Sequence, residues 1–165
     1  MDETTILREI RDRVWVLTLN RPGAANRLNN ELLETLAGHL DQAAADPACA
    51  TVVLTAAGDV FCGGGELGDY RGQSAMEIRR FGESFIKLHA AIVRSAKPVV
   101  AAVQGDALGG GLSLVEACDL AVASEEASFG VPEIKAGLAP MMALTGARRI
   151  RSRKGCLEMA LLGES

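Results

Sequence analysis

Two glycine triplets, Gly63-Gly64-Gly65 in GDVFCGGGELGDY and Gly109-Gly110-Gly111 in AVQGDALGGGLSLVEACDL, each follow directly on a run that reads as a buried strand. Glycine permits positive φ and the close approach of another backbone or of a ligand, so each triplet predicts a tight strand-to-helix turn. A helix starting inside the second triplet adds unpaired N–H groups and the positive end of its dipole. Two such turns together can aim two backbone amides at one oxygen, which is how an oxyanion hole is built. Either triplet alone is explained as readily by crowded packing.

The surrounding pattern places the triplets in an alternating chain. ILREI and VWVLTL, flanking Arg11-Asp12, predict a hairpin that leads to the turn Asn20-Arg21-Pro22-Gly23. Asn29 or Asn30 caps a helix carrying Leu32, Leu33, Leu36, Leu40 and Ala43 at helical spacing, stopped by Asp46-Pro47. TVVLTAA is a buried strand. Ser74 to about Ser95 is a long amphipathic helix with Met76, Ile78, Phe81, Phe85, Leu88, Ile92 and Val93 on one stripe, ending before Lys97-Pro98. PVVAAV, the glycine-led helix LSLVEA, the short strand DLAVA, a turn through SFGVPEI and helical material from Pro140 complete the chain. The alternation predicts an α/β fold with mainly parallel pairing, in one domain spanning residues 1–165. The sequence shows no internal repeat and no linker.

A formal charge of −4 argues against broad binding to a nucleic-acid backbone. The one basic stretch, Arg148, Arg149, Arg151, Arg153 and Lys154, reads as a solvated helix face or a contact for a phosphorylated ligand. No run approaches the ~18 apolar residues of a membrane span, and the charged N-terminus lacks a signal-peptide core, so a cytoplasmic protein without membrane contact is expected. Cys49, Cys62, Cys118 and Cys156 have no CxxC spacing, and with only two histidines neither a zinc site nor a disulfide framework is suggested. They read as reduced thiols. The chain ends on the apolar helix pattern CLEMALLGES, where further chain is expected.

LNRPGAANRLNNELLETL, FCGGGEL, KPVVAAVQGDALGGGLSLVEACDLAVASEEASFGVPEIKAGLAPMM and LEMALLGE occur in an order and separation that resemble the crotonase, or enoyl-CoA hydratase/isomerase, superfamily, from about Val14 to Glu164. The resemblance implies an α/β spiral of repeated β-β-α units, normally completed by C-terminal helices that finish the acyl pocket and the trimer contacts, and those helices are missing from this sequence. It implies an acyl-CoA thioester as substrate, coenzyme A arriving as part of it, no prosthetic group, and a homotrimer or pair of trimers. The N–H donors to the thioester oxygen fall on Gly65 and Gly110. Glu133, held by Pro132, falls where the family places its acid/base, and an apolar pocket raises a carboxylate's proton affinity toward neutrality. Read without the resemblance, Glu133 is an ordinary solvated or capping glutamate. Ala24, Ala25, Arg27 and Gly63 match the coenzyme A contacts, with Arg27 facing a phosphate or simply exposed. Leu67, Tyr70, Ser113, Leu138, Met141 and Met142 are candidates for the acyl pocket, the methionines doubling as flexible core filler.

One position departs from the hydratase pattern. Two residues after the glycine triplet, where hydratases of this family carry a second glutamate, stands Ser113. A serine hydroxyl is no equivalent base near pH 7, so isomerisation by Glu133 alone is favoured over hydration. Glu116, one helical turn on, is too far displaced to substitute and is expected in a polar gap, a subunit contact or solvent. His39 and His89 have no sequence neighbours that suggest a catalytic dyad. GGGLSL is not the GxSxG of a nucleophile elbow, and neither a P-loop nor a clean GxGxxG is present. Two other readings compete: a degenerate acyl-CoA-binding or assembly subunit of the same fold, and a portion of a longer active enzyme.

Overall fold

The computed structural model describes residues 4–66 and 72–164. β1 (Ile6–Arg11) and β2 (Val14–Leu19) form the antiparallel hairpin, turning at Asp12 with φ 55°. Alternate residues of β2, Trp15, Leu17 and Leu19, are buried. α1 (Asn30–Ala45) follows, its first turn capped by the Asn29 side chain, which accepts from the Leu32 N–H. The predicted leucine stripe is its buried face.

The same β-β-α unit then recurs. β3 (Thr51–Ala56) and β4 (Val60–Cys62) lead to α2 (Ala75–Val93), and β5 (Val99–Val103) and β6 (Asp106–Leu108) lead to α3 (Gly110–Ala117). β7 (Leu120–Ala123) and β8 (Phe129–Gly130) end in a 3-10 turn over Pro132–Ala136, before α4 (Leu144–Ile150) and α5 (Arg153–Leu162). α2 opens with a reciprocal capping box between Ser74 and Glu77. Its buried face begins only at Phe81, because Met76 and Ile78, expected on the apolar stripe, are exposed.

The first hairpin lies wholly in the larger of two sheets, and each later circuit of the chain contributes one strand to each. The larger runs β1-β2-β3-β5-β7, all parallel after the hairpin, and the smaller runs β4-β6-β8, all parallel. The main core packs α1 and α2 on the larger sheet through Leu33, Leu36, Leu54, Phe85, Leu88 and Val99. Leu112, Val131, Ala143 and Met159 form a smaller cluster where α3, α4 and α5 meet. Among the described residues no helix is long and apolar enough to cross a membrane, and all four cysteines are free thiols. Arg148, Arg151, Arg153 and Lys154 are exposed.

The small sheet differs from the sequence expectation. Strands of three, three and two residues carry too few positions for a period to register, so β4 and β6 read only as approaches to glycine turns. The SFGVPEI segment, expected as a turn, contains β8.

Candidate functional site

Parallel pairing of β4, β6 and β8 sets side by side the three segments that leave their carboxyl ends. These are Gly63 to Gly65 after β4, Gly109 to Gly111 after β6, and Pro132-Glu133 after β8. Residues far apart in sequence are thereby gathered at one end of a small sheet, the usual location of sites in parallel sheets.

The backbone donors follow from local bonding. Leu28 bridges Gly65 through Leu28 N–H to Gly64 O (2.8 Å) and Glu66 N–H to Leu28 O (2.7 Å). The bridge thus uses the neighbours of Gly65 and leaves its own N–H outside the pairing. Gly110 is the first residue of α3, where N–H groups have no carbonyl one turn back. A Cβ built on Gly110 would stand 3.6 Å from Gly65 N, so the two free amides are neighbours.

Glu133 lies against Gly109, the residue before Gly110. Gly109 has φ 52°, and a side chain there would bring Cβ to 2.6 Å from Glu133 Oε1. The conformation requires glycine, and an added side chain would displace the Glu133 carboxyl. Burial raises the Glu133 carboxyl above its ordinary value, and Oε2 is buried with no hydrogen-bond partner among the described residues. The arrangement sets a carboxyl of raised proton affinity in the same cavity as two backbone N–H groups, a chemistry able to move a proton and to stabilise developing negative charge. Gly111 serves packing, since a Cβ would meet Cys62 Cβ at 2.7 Å and collide with Cys62 O.

A cavity of about 660 Å³ opens over these groups, lined by Arg27, the Gly63 triplet, Phe81, Phe85, Gly109, Gly110, Glu133 and the segment from Leu138 to Ala143. Leu138, Met141 and Met142 thus join the same wall. Leu67 and Tyr70 lie outside the described residues. Ala25 O accepts the Gly63 N–H (2.9 Å), which binds the 24–27 turn to the first triplet. Arg27 lines the cavity and Ala24 lies behind it, its carbonyl accepting the Arg27 N–H at 3.1 Å. Buried Asn26, with φ 50°, holds this turn: its Oδ1 accepts from Arg21 N–H, and its Nδ2 donates to Ala57 O and Val60 O.

Ser113 lies elsewhere on the wall. A second chamber of about 810 Å³ shares Phe85, Met141 and Met142 with the first, and adds His89, Ser113, Glu116, Thr145 and Gly146. His89 Nε2 is 2.9 Å from Ser113 Oγ, and His89 Nδ1 is 2.9 Å from Phe85 O. This corrects the expectation that His89 has no dyad partner. The contact joins α2 to α3 across 24 residues, and no sequence spacing signals it. His39 has no such contact; burial lowers its proton affinity, and Nδ1 is unpartnered among the described residues.

Glu116 is not in solvent. Both carboxyl oxygens are buried without a hydrogen-bond partner among the described residues. Burial pushes the group up to about 7, against the opposing pull of Arg151. Gly146 makes room for it, since a Cβ there would sit 2.6 Å from Glu116 Oε2. No cluster of residues able to hold a metal ion occurs among the described residues.

The chain as a whole resembles known proteins. A sequence model described as enoyl-CoA hydratase/isomerase matches residues 9–165. The chain is 39% identical over 167 residues to the 2,3-dehydroadipyl-CoA hydratase of Escherichia coli, covering all of this chain and 64% of that protein. It is 38% identical over 136 residues to the crotonyl-CoA hydratase of Syntrophomonas wolfei, covering 82% of this chain and 52% of that protein. The crystal structure of an enoyl-CoA hydratase from Mycobacterium smegmatis superposes with a TM-score of 0.94 at 36% identity, covering 98% of this chain and 64% of that one. The chain therefore spans between about half and two thirds of the length of these relatives.

Proposed function

The chain belongs to the enoyl-CoA hydratase/isomerase family, and from that premise we propose that its front cavity binds an acyl-CoA thioester and stabilises the thioester enolate. The Gly65 and Gly110 amides hold the oxygen as it becomes negative, and Glu133 carries the proton to or from the α-carbon. The observation that supports this reading is the pair of neighbouring amides at Gly65 and Gly110 on the same cavity as the half-buried Glu133 carboxyl, whose Oε2 has no hydrogen-bond partner among the described residues. Two donors aimed at a developing oxyanion contribute most when the site excludes water, and a carboxyl of raised proton affinity can both take and return a proton near neutrality. Coenzyme A enters with the substrate, and the family's chemistry needs no prosthetic group. Ala24, Ala25, Arg27 and Gly63 hold its nucleotide and pantetheine parts. Residues 1–165 act as one crotonase-like unit of a cytoplasmic homotrimer or pair of trimers.

Two net reactions fit this core. Moving a double bond needs Glu133 alone, and Ser113 in place of a second glutamate supports isomerisation. Adding water needs a second proton-handling group. The names of the curated relatives, all hydratases among those above, and the Ser113–His89 hydrogen bond favour this second reading.

Solvent deuterium exchange at the α-carbon of saturated and 3-enoyl-CoA thioesters tests the common core. Glu133→Gln is expected to slow exchange by on the order of 100-fold or more while coenzyme A thioester binding persists. Undiminished exchange in the variant defeats the assignment of Glu133. Binding without exchange in the wild type points to an acyl-CoA-binding role.

A further inference from the structure

One terminal nitrogen of Arg21 makes two bonds. Its Nη1 donates to the Arg27 main-chain oxygen at 2.7 Å and to Glu66 Oε2 at 2.6 Å. The Arg21 side chain is 20% exposed and that of Glu66 is 41% exposed. An ion pair as open to water as this contributes little to stability by itself. Its significance lies in what it joins.

Both ends fall on the bridge that holds Gly65. Arg27 precedes Leu28 and Glu66 follows Gly65, while the Leu28 N–H bonds Gly64 O and the Glu66 N–H bonds Leu28 O. This bridge lies outside the named strands, so no ladder on either side fixes its register. Arg21 supplies a third link, from the residue before Leu28 to the residue after Gly65. The base of the arm is fixed as well as its tip. Arg21 N–H donates to Asn26 Oδ1 at 2.8 Å, and Arg21 O accepts from the Ala24 and Asn26 N–H groups at 2.9 Å each. Leu28 is fully buried, and its Cδ1 would stand 3.0 Å from a Cβ on Gly110, so the segment that Arg21 holds also packs on the second amide's residue. Neither Arg21 nor Glu66 lines the front cavity.

We infer that the Arg21–Glu66 pair positions the Gly65 amide toward the thioester oxygen, acting from outside the cavity through the Leu28–Gly65 bridge. The inference rests on the enolate reading above. Arg21 and Glu66 are positioning residues. With the pair closed, Gly64 to Glu66 keeps one path and the Gly65 N–H one direction; with the pair broken, the bridge pivots on its two remaining hydrogen bonds. Stabilisation of a developing charge depends steeply on the aim of the donor, whereas substrate binding is spread over the whole cavity wall. Loss of the pair therefore falls on turnover and spares binding.

The test follows α-carbon deuterium exchange of butyryl-CoA, together with the infrared carbonyl stretch of the bound thioester labelled with carbon-13 at that carbon. Glu66→Ala and Arg21→Met are each expected to lower kcat for exchange on the order of 10-fold, with KM within about twofold of wild type. The double variant is expected to lose little more, because both changes remove the same contact. The carbonyl band, brought to lower frequency in the wild type by the two amides, moves back toward its position in water in each variant. Glu66→Gln keeps an oxygen within reach of Nη1 and is expected to recover most of the loss in both readouts.

Wild-type kcat and band position in Glu66→Ala overturn the inference. So does a raised KM at constant kcat, which makes the pair a binding contact. A lower kcat with the band unmoved reports lost active protein instead of a misaimed amide, and overturns it as well. Wild-type protein that neither exchanges nor shifts the band overturns the enolate reading and this inference together.

Discussion

The front cavity and the chamber behind Phe85 share one aromatic wall but are built from different parts of the chain. In the front, the neighbouring polar groups are the backbone amides of Gly65 and Gly110, placed by the ends of β4 and β6. In the rear, the polar groups are side chains of Ser113, His89 and Glu116, placed by the packing of α2, α3 and α4. Backbone donors depend on the path of the chain and tolerate almost no added volume. Side-chain donors depend on their own atoms, and their loss leaves the chain path intact.

The sharpest way to break that contrast is Gly111→Ala. Its Cβ would run into Cys62 backbone, which cannot swing aside, so we expect a loss of about 3 kcal/mol of stability, read by urea unfolding. A variant as stable as the wild type would show that the wall between β4 and α3 is pliant. Gly110→Ala should act more mildly on folding and more on chemistry. The added carbon meets Leu28 Cδ1 at 3.0 Å and Phe85 Cε2 at 3.3 Å, both side-chain atoms that can shift, yet it intrudes beside Gly65 N. Exchange is expected to fall on the order of 10- to 100-fold with little change in melting temperature.

On the rear side, Ser113→Ala should cost about 1 kcal/mol, the worth of one hydrogen bond and the orphaning of His89 Nε2. Equal destabilisation by Gly111→Ala and Ser113→Ala would erase the distinction between the two walls. The smallest effect concerns Glu116. Its folded-state proton affinity is raised to about 7 from an ordinary 4.5, so the native state favours the neutral form. Stability from this group is intact below about pH 4.5 and is lost as pH rises through about 7. Glu116→Gln should therefore raise the melting temperature relative to wild type at pH 8, with the gain shrinking at pH 5. A gain that does not depend on pH would mean the carboxyl is already solvated.

The same division decides what the sequence disclosed. The glycine triplets by themselves disclosed only two tight turns; the choice of Gly65, Gly110 and Glu133 came from the family resemblance, and the structure brings the segments that carry them to one end of the small sheet. The larger sheet and α1 were legible, through the two-residue period of VWVLTL and the leucine spacing after Asn29. The small sheet was not, because its strands are shorter than one period. Nor was the Ser113–His89 pair, whose members are brought together only when α2 packs beside α3. Of the three settings expected for Glu116, solvent is the one the structure removes, since α4, with Gly146 at the contact, closes over the carboxyl and leaves it in a gap shared with His89, Ser113 and Thr145.

Asn26 carries a consequence for how fast the site can fill. Its amide bonds Arg21 N–H, Ala57 O and Val60 O, while Ala25 O takes the Gly63 N–H, so the turn from Ala24 to Arg27 is already fixed by four links to the rest of the protein. The conformational entropy of that turn is lost during folding, before any ligand arrives. Ligand capture there should resemble docking to a rigid surface, with a bimolecular rate that stays linear in ligand concentration and no saturating closure step. The amide hydrogens of Arg21 and Gly63 should exchange with deuterated solvent only when the turn itself opens.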